Sequence, residues 1–144
     1  RKHHDGVSPA QFVEYIKNIP ASAYGANCGF GSDQLLQTIG EMKNAGGKNL
    51  IAKGNCGIPV FHEGDIRYTG TEHVMANYAV EVRNLGAELI GECCGTKDTH
   101  LHAMTHELET QPYQPTKLEI KTHKAMKNRK AADKDVEEEV PDSD

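Results

Sequence analysis

Helix-like and strand-like segments alternate along the first 109 residues with only short loops between them, and this alternation limits the fold more than any other feature. Ser8-Pro9-Ala10-Gln11 is a helix start: Ser8 caps, Pro9 suits the first helical position and Gln11 completes a capping box. Phe12, Val13 and Ile16 follow on one helical face. After Pro20, residues 21–27 read as a short strand. Ser32 is expected to cap a second helix, with Leu35, Leu36, Ile39 and Met42 on one side and Gly46-Gly47 as its stop. Residues 49–54 read as a buried strand, and 60–68 as a ribbon folded about Glu63-Gly64-Asp65. A third helix is expected over 71–85, with Val74, Met75, Tyr78 and Val82 inward and Gly86 as its stop. Residues 87–91 form the next strand, and 98–109 a last helix carrying Leu101, Met104 and Leu108.

Strict alternation through helical crossovers makes the strands parallel, an α/β architecture. Three strands do not close a barrel, and the 144 residues of the chain are about half of the ~250 that a complete β/α barrel needs. The strands therefore fit an open sheet or one part of a larger barrel. The sequence begins at Arg1 rather than Met, from which a fragment or processed product is expected.

The formal net charge of −5 argues against an electrostatic footprint for nucleic acid or an anionic membrane. No apolar run approaches the roughly 18 residues of a spanning helix. All 14 glycines lie at or before Gly95. Beyond residue 110 the sequence turns to a Gln111-Pro112-Tyr113-Gln114-Pro115 breaker, a Lys-rich stretch and an acidic end at Glu137-Glu138-Glu139. So few large apolar groups cannot offset the ordering entropy, so 110–144 reads as a charged, disordered tail or linker.

Each of the three strands ends in a cysteine motif: Asn27-Cys28-Gly29, Asn55-Cys56-Gly57 and Glu92-Cys93-Cys94-Gly95. Parallel α/β folds bind ligands outside the carboxyl ends of their strands, so the topology draws these thiols to one face. Four cysteines without a small-scaffold spacing suggest a reducing compartment, taken as cytoplasmic, with thiol or metal chemistry. Successive side chains on a strand point to opposite faces, so Cys93 and Cys94 reach one ion only where the strand has ended. Gly91 and Gly95 permit that departure. With Cys28 they make a three-sulfur set, suited to Zn²⁺ and leaving a fourth position open. The bland alternative is a set of inert buried thiols.

These motifs resemble the homocysteine S-methyltransferase family of zinc-dependent β/α barrels. The resemblance rests on Asn27-Cys28, on Cys93-Cys94-Gly95-Thr96 with His100 in the helix that follows, and on Asn55, Gly57, Ile58 and Pro59 between them. Tyr68-Thr69-Gly70-Thr71 and Met75-Ala76-Asn77-Tyr78 also look like the family. The resemblance spans residues 8–109 and implies the carboxyl-terminal part, about strands six to eight, of a (β/α)8 TIM barrel. A domain of 1–109 followed by the 110–144 tail is the division it suggests. It further implies that Cys28, Cys93 and Cys94 hold Zn²⁺, that homocysteine takes the fourth position as thiolate, and that a small-molecule or corrinoid-bound donor supplies the methyl group, giving methionine. No catalytic residue beyond the zinc ligands is then required.

Glu92 stands where the family usually has Gly, and Cys56 where it has a small residue. Were Cys56 a fourth ligand, the site would be a closed structural one in a non-catalytic zinc-binding fragment. Asn27, Asn55 and His100 are candidates for groups that hydrogen-bond the ligands from outside. His102 and His106 lie four apart on the last helix, but no Glu completes a zincin motif and exposed side chains are expected. Vicinal Cys93-Cys94 without a C-x-x-C argues against a thiol redox protein.

Overall fold

The structure, a computed structural model, describes residues 6–29 and 31–119. Its elements follow in the order α1 (Pro9–Ile16), β1 (Tyr24–Asn27), α2 (Ser32–Asn44), β2 (Leu50–Gly54), β3 (Pro59–His62), β4 (Asp65–Tyr68), α3 (Glu72–Asn84), β5 (Ala87–Glu92) and α4 (Asp98–Thr110). β1, β2 and β5 form a parallel sheet with β2 in the middle. β3 and β4 form a separate antiparallel hairpin, the expected ribbon.

Local chemistry explains most boundaries. Ser8 accepts from the Gln11 N–H at 3.1 Å while the Gln11 side chain accepts from the Ser8 N–H at 2.9 Å, closing the capping box of α1. Thr71 caps α3 through its hydroxyl, and Gly86 ends it at a positive φ of 117°. α2 departs from expectation. Its cap is Gly31, at φ 134°, and Ser32 is already helical, with no side-chain cap bond. The left-handed backbone that turns the chain into the helix falls on the one residue without a Cβ, which moves the start back by one position.

The core lies on one side of the sheet. Leu50 and Ala52 of β2 are fully buried against Val13, Ile39, Met42, Met75, Tyr78, Ala79, Val82 and Met104. Each large side chain so buried contributes about 1.5–3 kcal/mol. On the opposite face Lys53 and Leu89 are exposed, as the strand period of two requires. Two residues expected inward are outside: Val74 and Leu101 are 39 % and 44 % exposed. In α3 the buried arc centres on Met75, Ala79 and Val82, and in α4 on His100 and Met104, leaving Val74 and Leu101 about 100° round the helix from Met75 and His100.

The chain does not leave the fold at residue 110. Arg83 donates to the carbonyls of Leu108, Gln111 and Pro112 at 2.9–3.0 Å. The N–H groups of Gln114 and Thr116 bond to Asn84, and the Leu118 carbonyl accepts from Asn44. The Leu118 side chain packs against Gly40, so 111–118 runs back over α3 to α2. These bonds are made by backbone groups, which composition does not report. The remainder of the expected tail, 120–144, lies outside the described residues.

Candidate metal centre

β1 and β5 are not adjacent; each pairs with β2, and the end of β2 fixes both neighbours. The Cys28 N–H donates to the Lys53 carbonyl at 2.9 Å, and the Cys93 N–H to the Gly54 carbonyl at 2.8 Å. The Cys94 carbonyl accepts from the Cys56 N–H at 3.0 Å. Cys28 takes φ 58°, a left-handed conformation that is rare for a residue with a Cβ. Such outliers gather at functional sites. Gly95, at φ 77°, lies so close to the Tyr68 ring that a Cβ would overlap it.

Three sulfurs meet at this end of the sheet. Cys28 Sγ is 2.6 Å from Cys93 Sγ and 3.9 Å from Cys94 Sγ, and the last two are 3.8 Å apart. None is in a disulfide. They form a group of potential ligands within 4.8 Å of one another. Four sulfurs around zinc at about 2.3 Å would be about 3.8 Å apart, which two of the three separations match. The third would widen by about 1.2 Å, a distance within reach of rotation about the Cα–Cβ bonds.

Hydrogen bonding divides the acidity of these thiols. The hydrogen bond shared with Cys93, with burial, pushes the Cys28 pKa up to about 11. The same bond pulls the Cys93 pKa down, helped by Cys94 and by the Asn27 side chain. Tyr68 is pushed up by desolvation and by the neighbouring cysteine sulfurs, Cys94 first.

Asn55 is the buried amide between the two cysteine-bearing turns, 5 % exposed. Its Nδ2 donates to the Gly29 carbonyl at 2.8 Å and its Oδ1 accepts from the Cys94 N–H at 3.1 Å. Asn27 donates from Nδ2 to Cys28 Sγ at 3.4 Å. Thr96, quoted in the sequence only as part of the Cys93–Thr96 turn, donates its hydroxyl to the Cys93 carbonyl. A hydroxyl three residues past a strand-end cysteine is the signal that could have found this role.

Cys56 and His100 are brought together, but with each other. Cys56 lies outside the three-sulfur group, 1 % exposed, with Sγ 3.1 Å from the Gly70 carbonyl and 3.2 Å from His100 Nε2. His100 Nδ1 accepts from the Lys97 N–H at 3.0 Å, so the proton is on Nε2 and points at the Cys56 sulfur. Cys56 in turn donates to Gly70. Burial raises the Cys56 pKa, which keeps this thiol protonated. His102 and His106 are exposed. Glu92 is in register with Gly54, whose missing Cβ would meet the Tyr78 ring, so its side chain turns to the helix side of the sheet. One Glu92 carboxyl oxygen and the Tyr78 hydroxyl are buried there without hydrogen-bond partners.

A parallel α/β sheet that gathers three thiols at its carboxyl edge defines a thiol-rich class of site whose side chains could hold a metal ion. The sequence narrows it further. Residues 1–108 match the family model for homocysteine S-methyltransferase, and the chain belongs to that family. Over 120 residues it is 32 % identical to betaine–homocysteine S-methyltransferase 1 of Rattus norvegicus, covering 72 % of this chain and 30 % of that protein. It is 31 % identical to the S-methylmethionine–homocysteine S-methyltransferase of the same species, covering 72 % of this chain and 33 % of the relative. The bovine betaine–homocysteine enzyme is 32 % identical over 71 % of this chain and 29 % of its own length. The chain thus spans about a third of the length of these relatives.

Proposed function

We propose that this chain carries the zinc-holding part of a homocysteine S-methyltransferase, about strands six to eight of a (β/α)8 barrel, and that Cys28, Cys93 and Cys94 are its metal ligands. The observation that carries the reading is the convergence of three free thiols from the ends of two non-adjacent strands. Soft sulfur donors suit zinc, and three of them leave a tetrahedral position for a fourth. Bound there, zinc would supply a lowered pKa for an incoming thiol, so that homocysteine is a thiolate at neutral pH.

The chain's own residues account for the arrangement. The carbonyls of Lys53 and Gly54 hold the backbones of Cys28 and Cys93, and Asn55 holds Gly29 and Cys94. Asn27 gives Cys28 a donor that favours the sulfur anion. His100 acts at one remove, through Lys97 and Cys56. The thiolate of homocysteine attacks a methyl group on an activated donor; the S–CH₃ bond forms as the donor–CH₃ bond breaks, and methionine leaves with the neutralised donor. Two relatives are named for betaine and S-methylmethionine, and such onium donors are the class proposed here.

The proposed setting is a reducing one such as the cytoplasm, where the thiols stay free. The net charge of −5 agrees with small-molecule partners rather than nucleic acid, and among the described residues no helix is long and apolar enough to cross a membrane. Elemental analysis of the reduced chain beside Cys94→Ser tests the reading. About one zinc per chain, lost in the variant, is expected. A folded wild-type chain without zinc refutes it.

A further inference from the structure

Register places Asn27, Lys53 and Gly91 side by side across β1, β2 and β5, one residue before Cys28 and two before Cys93. In-register neighbours share a face of the sheet. This face is opposite to that of Leu50 and Ala52, so the helices do not bury it. The thiols are at the same face, because Asn27 reaches from this row to Cys28 Sγ at 3.4 Å and lies against Cys93.

Lys53 is an unusual choice for the centre of a three-stranded sheet, where lysine is depleted and β-branched residues pack better. Its stem lies across the space that Gly91 leaves open: a Cβ on Gly91 would be 3.5 Å from Lys53 Cγ and 3.8 Å from Cε. Lys53 is exposed, and among the described residues it takes part in no salt bridge. Three thiolates and one divalent ion sum to a net negative charge, which repels a second anion nearby. A ligand that carries a thiol and a carboxylate therefore needs a cation beside the cluster.

We infer that Lys53 is a specificity residue of the thiol site, its ammonium taking the carboxylate of a thiol-bearing amino acid whose sulfur is directed to the Cys28, Cys93 and Cys94 cluster. The inference rests on the proposed function above, which already names homocysteine, and adds the residue that recognises its acid group. Lys53 touches the ligand away from the reacting sulfur, so it acts on affinity and on discrimination between thiols.

The test is calorimetric titration of the zinc-loaded chain with L-homocysteine and with 3-aminopropane-1-thiol, the same molecule without its carboxylate, in wild type, Lys53→Met and Lys53→Arg. Wild type is expected to bind homocysteine about three- to tenfold more tightly than the amine thiol, with the preference shrinking as salt rises. Lys53→Met is expected to remove the preference by weakening homocysteine alone, with zinc content unchanged, and Lys53→Arg to keep it. Equal binding of the two thiols by wild type, or equal weakening of both in Lys53→Met, overturns the assignment of Lys53 while the zinc reading stands. Absence of zinc, or of binding by either thiol, overturns both.

Discussion

Asn55 offers the sharpest test of how this site is built. It donates no ligand, yet its amide spans the turns that carry Cys28 and Cys94, at 2.8 Å to the Gly29 carbonyl and 3.1 Å to the Cys94 N–H. Asn55→Ala leaves both backbone groups without that partner in a region where Asn55 itself is 5 % exposed. Gly29 and Cys94 are themselves exposed, so water can reach the freed groups and each lost bond costs about 0.5–1.5 kcal/mol, about 1–3 kcal/mol for the pair. Part of that appears as lost stability, since about 1 kcal/mol shifts the midpoint of a domain this size by roughly 4–8 °C. The rest appears as poorer placement of the sulfurs, and removal of such outer partners weakens metal binding about 10–100-fold.

Zinc competition against a chromophoric chelator, with far-ultraviolet circular dichroism to monitor folding, separates the two effects. Asn27→Ala is the internal comparison. Its bond to Cys28 Sγ is 3.4 Å long and exposed and its effect on Cys93 is the smallest of those acting there, so the loss of affinity should stay below about tenfold. A folded Asn55→Ala chain with wild-type zinc affinity, or one that loses less than Asn27→Ala, refutes the argument that the amide sets the ligand spacing.

Other expectations follow from the same geometry. Gly95→Ala introduces a Cβ into the Tyr68 ring at φ 77°, so it should cost about 1–2 kcal/mol for the backbone plus a steric part; Tyr68→Ala in the same chain should restore only the steric part, as read by thermal melts. Cys56→Ser should leave zinc content unchanged, because a hydroxyl can still donate to Gly70 and accept from His100; a fall in zinc per chain would place Cys56 among the ligands. Burial pushes the Tyr78 phenol well above its usual range, opposed only by the Gly54 backbone beside the hydroxyl, which makes no hydrogen bond of good geometry there. With the folded pKa raised, its contribution to stability is complete below about pH 10 and declines above it, by about 1.4 kcal/mol per pH unit while only the unfolded chain ionises. Tyr78→Phe should therefore be neutral or stabilising near pH 7 and should flatten that alkaline decline in denaturant titrations; an unchanged decline would show that Tyr78 does not cause it.

Much of this arrangement was legible because it depends on periodicity and on strand ends. The stripes through Val13, Ile39, Met42, Met75, Tyr78 and Met104 are the core, and the parallel sheet follows from the alternation of elements. The meeting of Cys28 with Cys93 and Cys94 is a matter of topology, and the sequence carries it whatever the side-chain rotamers. What it does not carry is direction at single residues. Nothing in Asn55-Cys56-Gly57 shows that Cys56 turns toward Gly70 and His100, or that Cys28 is left-handed. Val74 and Leu101 sit at the margins of their helical stripes, where a shift of one position decides burial. The run over 111–118 is held by backbone carbonyls and amides, so its polar composition was a poor guide to its contacts.

The strand that gives no ligand to the cluster is the one that organises it. β2 turns Leu50 and Ala52 to the core, and its last carbonyls, Lys53 and Gly54, extend the sheet ladder by one bond on each side to fix Cys28 and Cys93. The ligand backbones are thereby part of the sheet and inherit its rigidity, while the sulfurs remain free to rotate. The short Cys28–Cys93 separation belongs to the rotating part, so opening it to a tetrahedral edge need not disturb the core. Metal uptake on this reasoning is a side-chain event on a preformed frame, and core stability and metal affinity should separate under mutation. Ala52, fully buried, should respond to enlargement in stability first, and Asn55, whose side-chain hydrogen bonds go to the Cys28 and Cys94 turns, in metal affinity first.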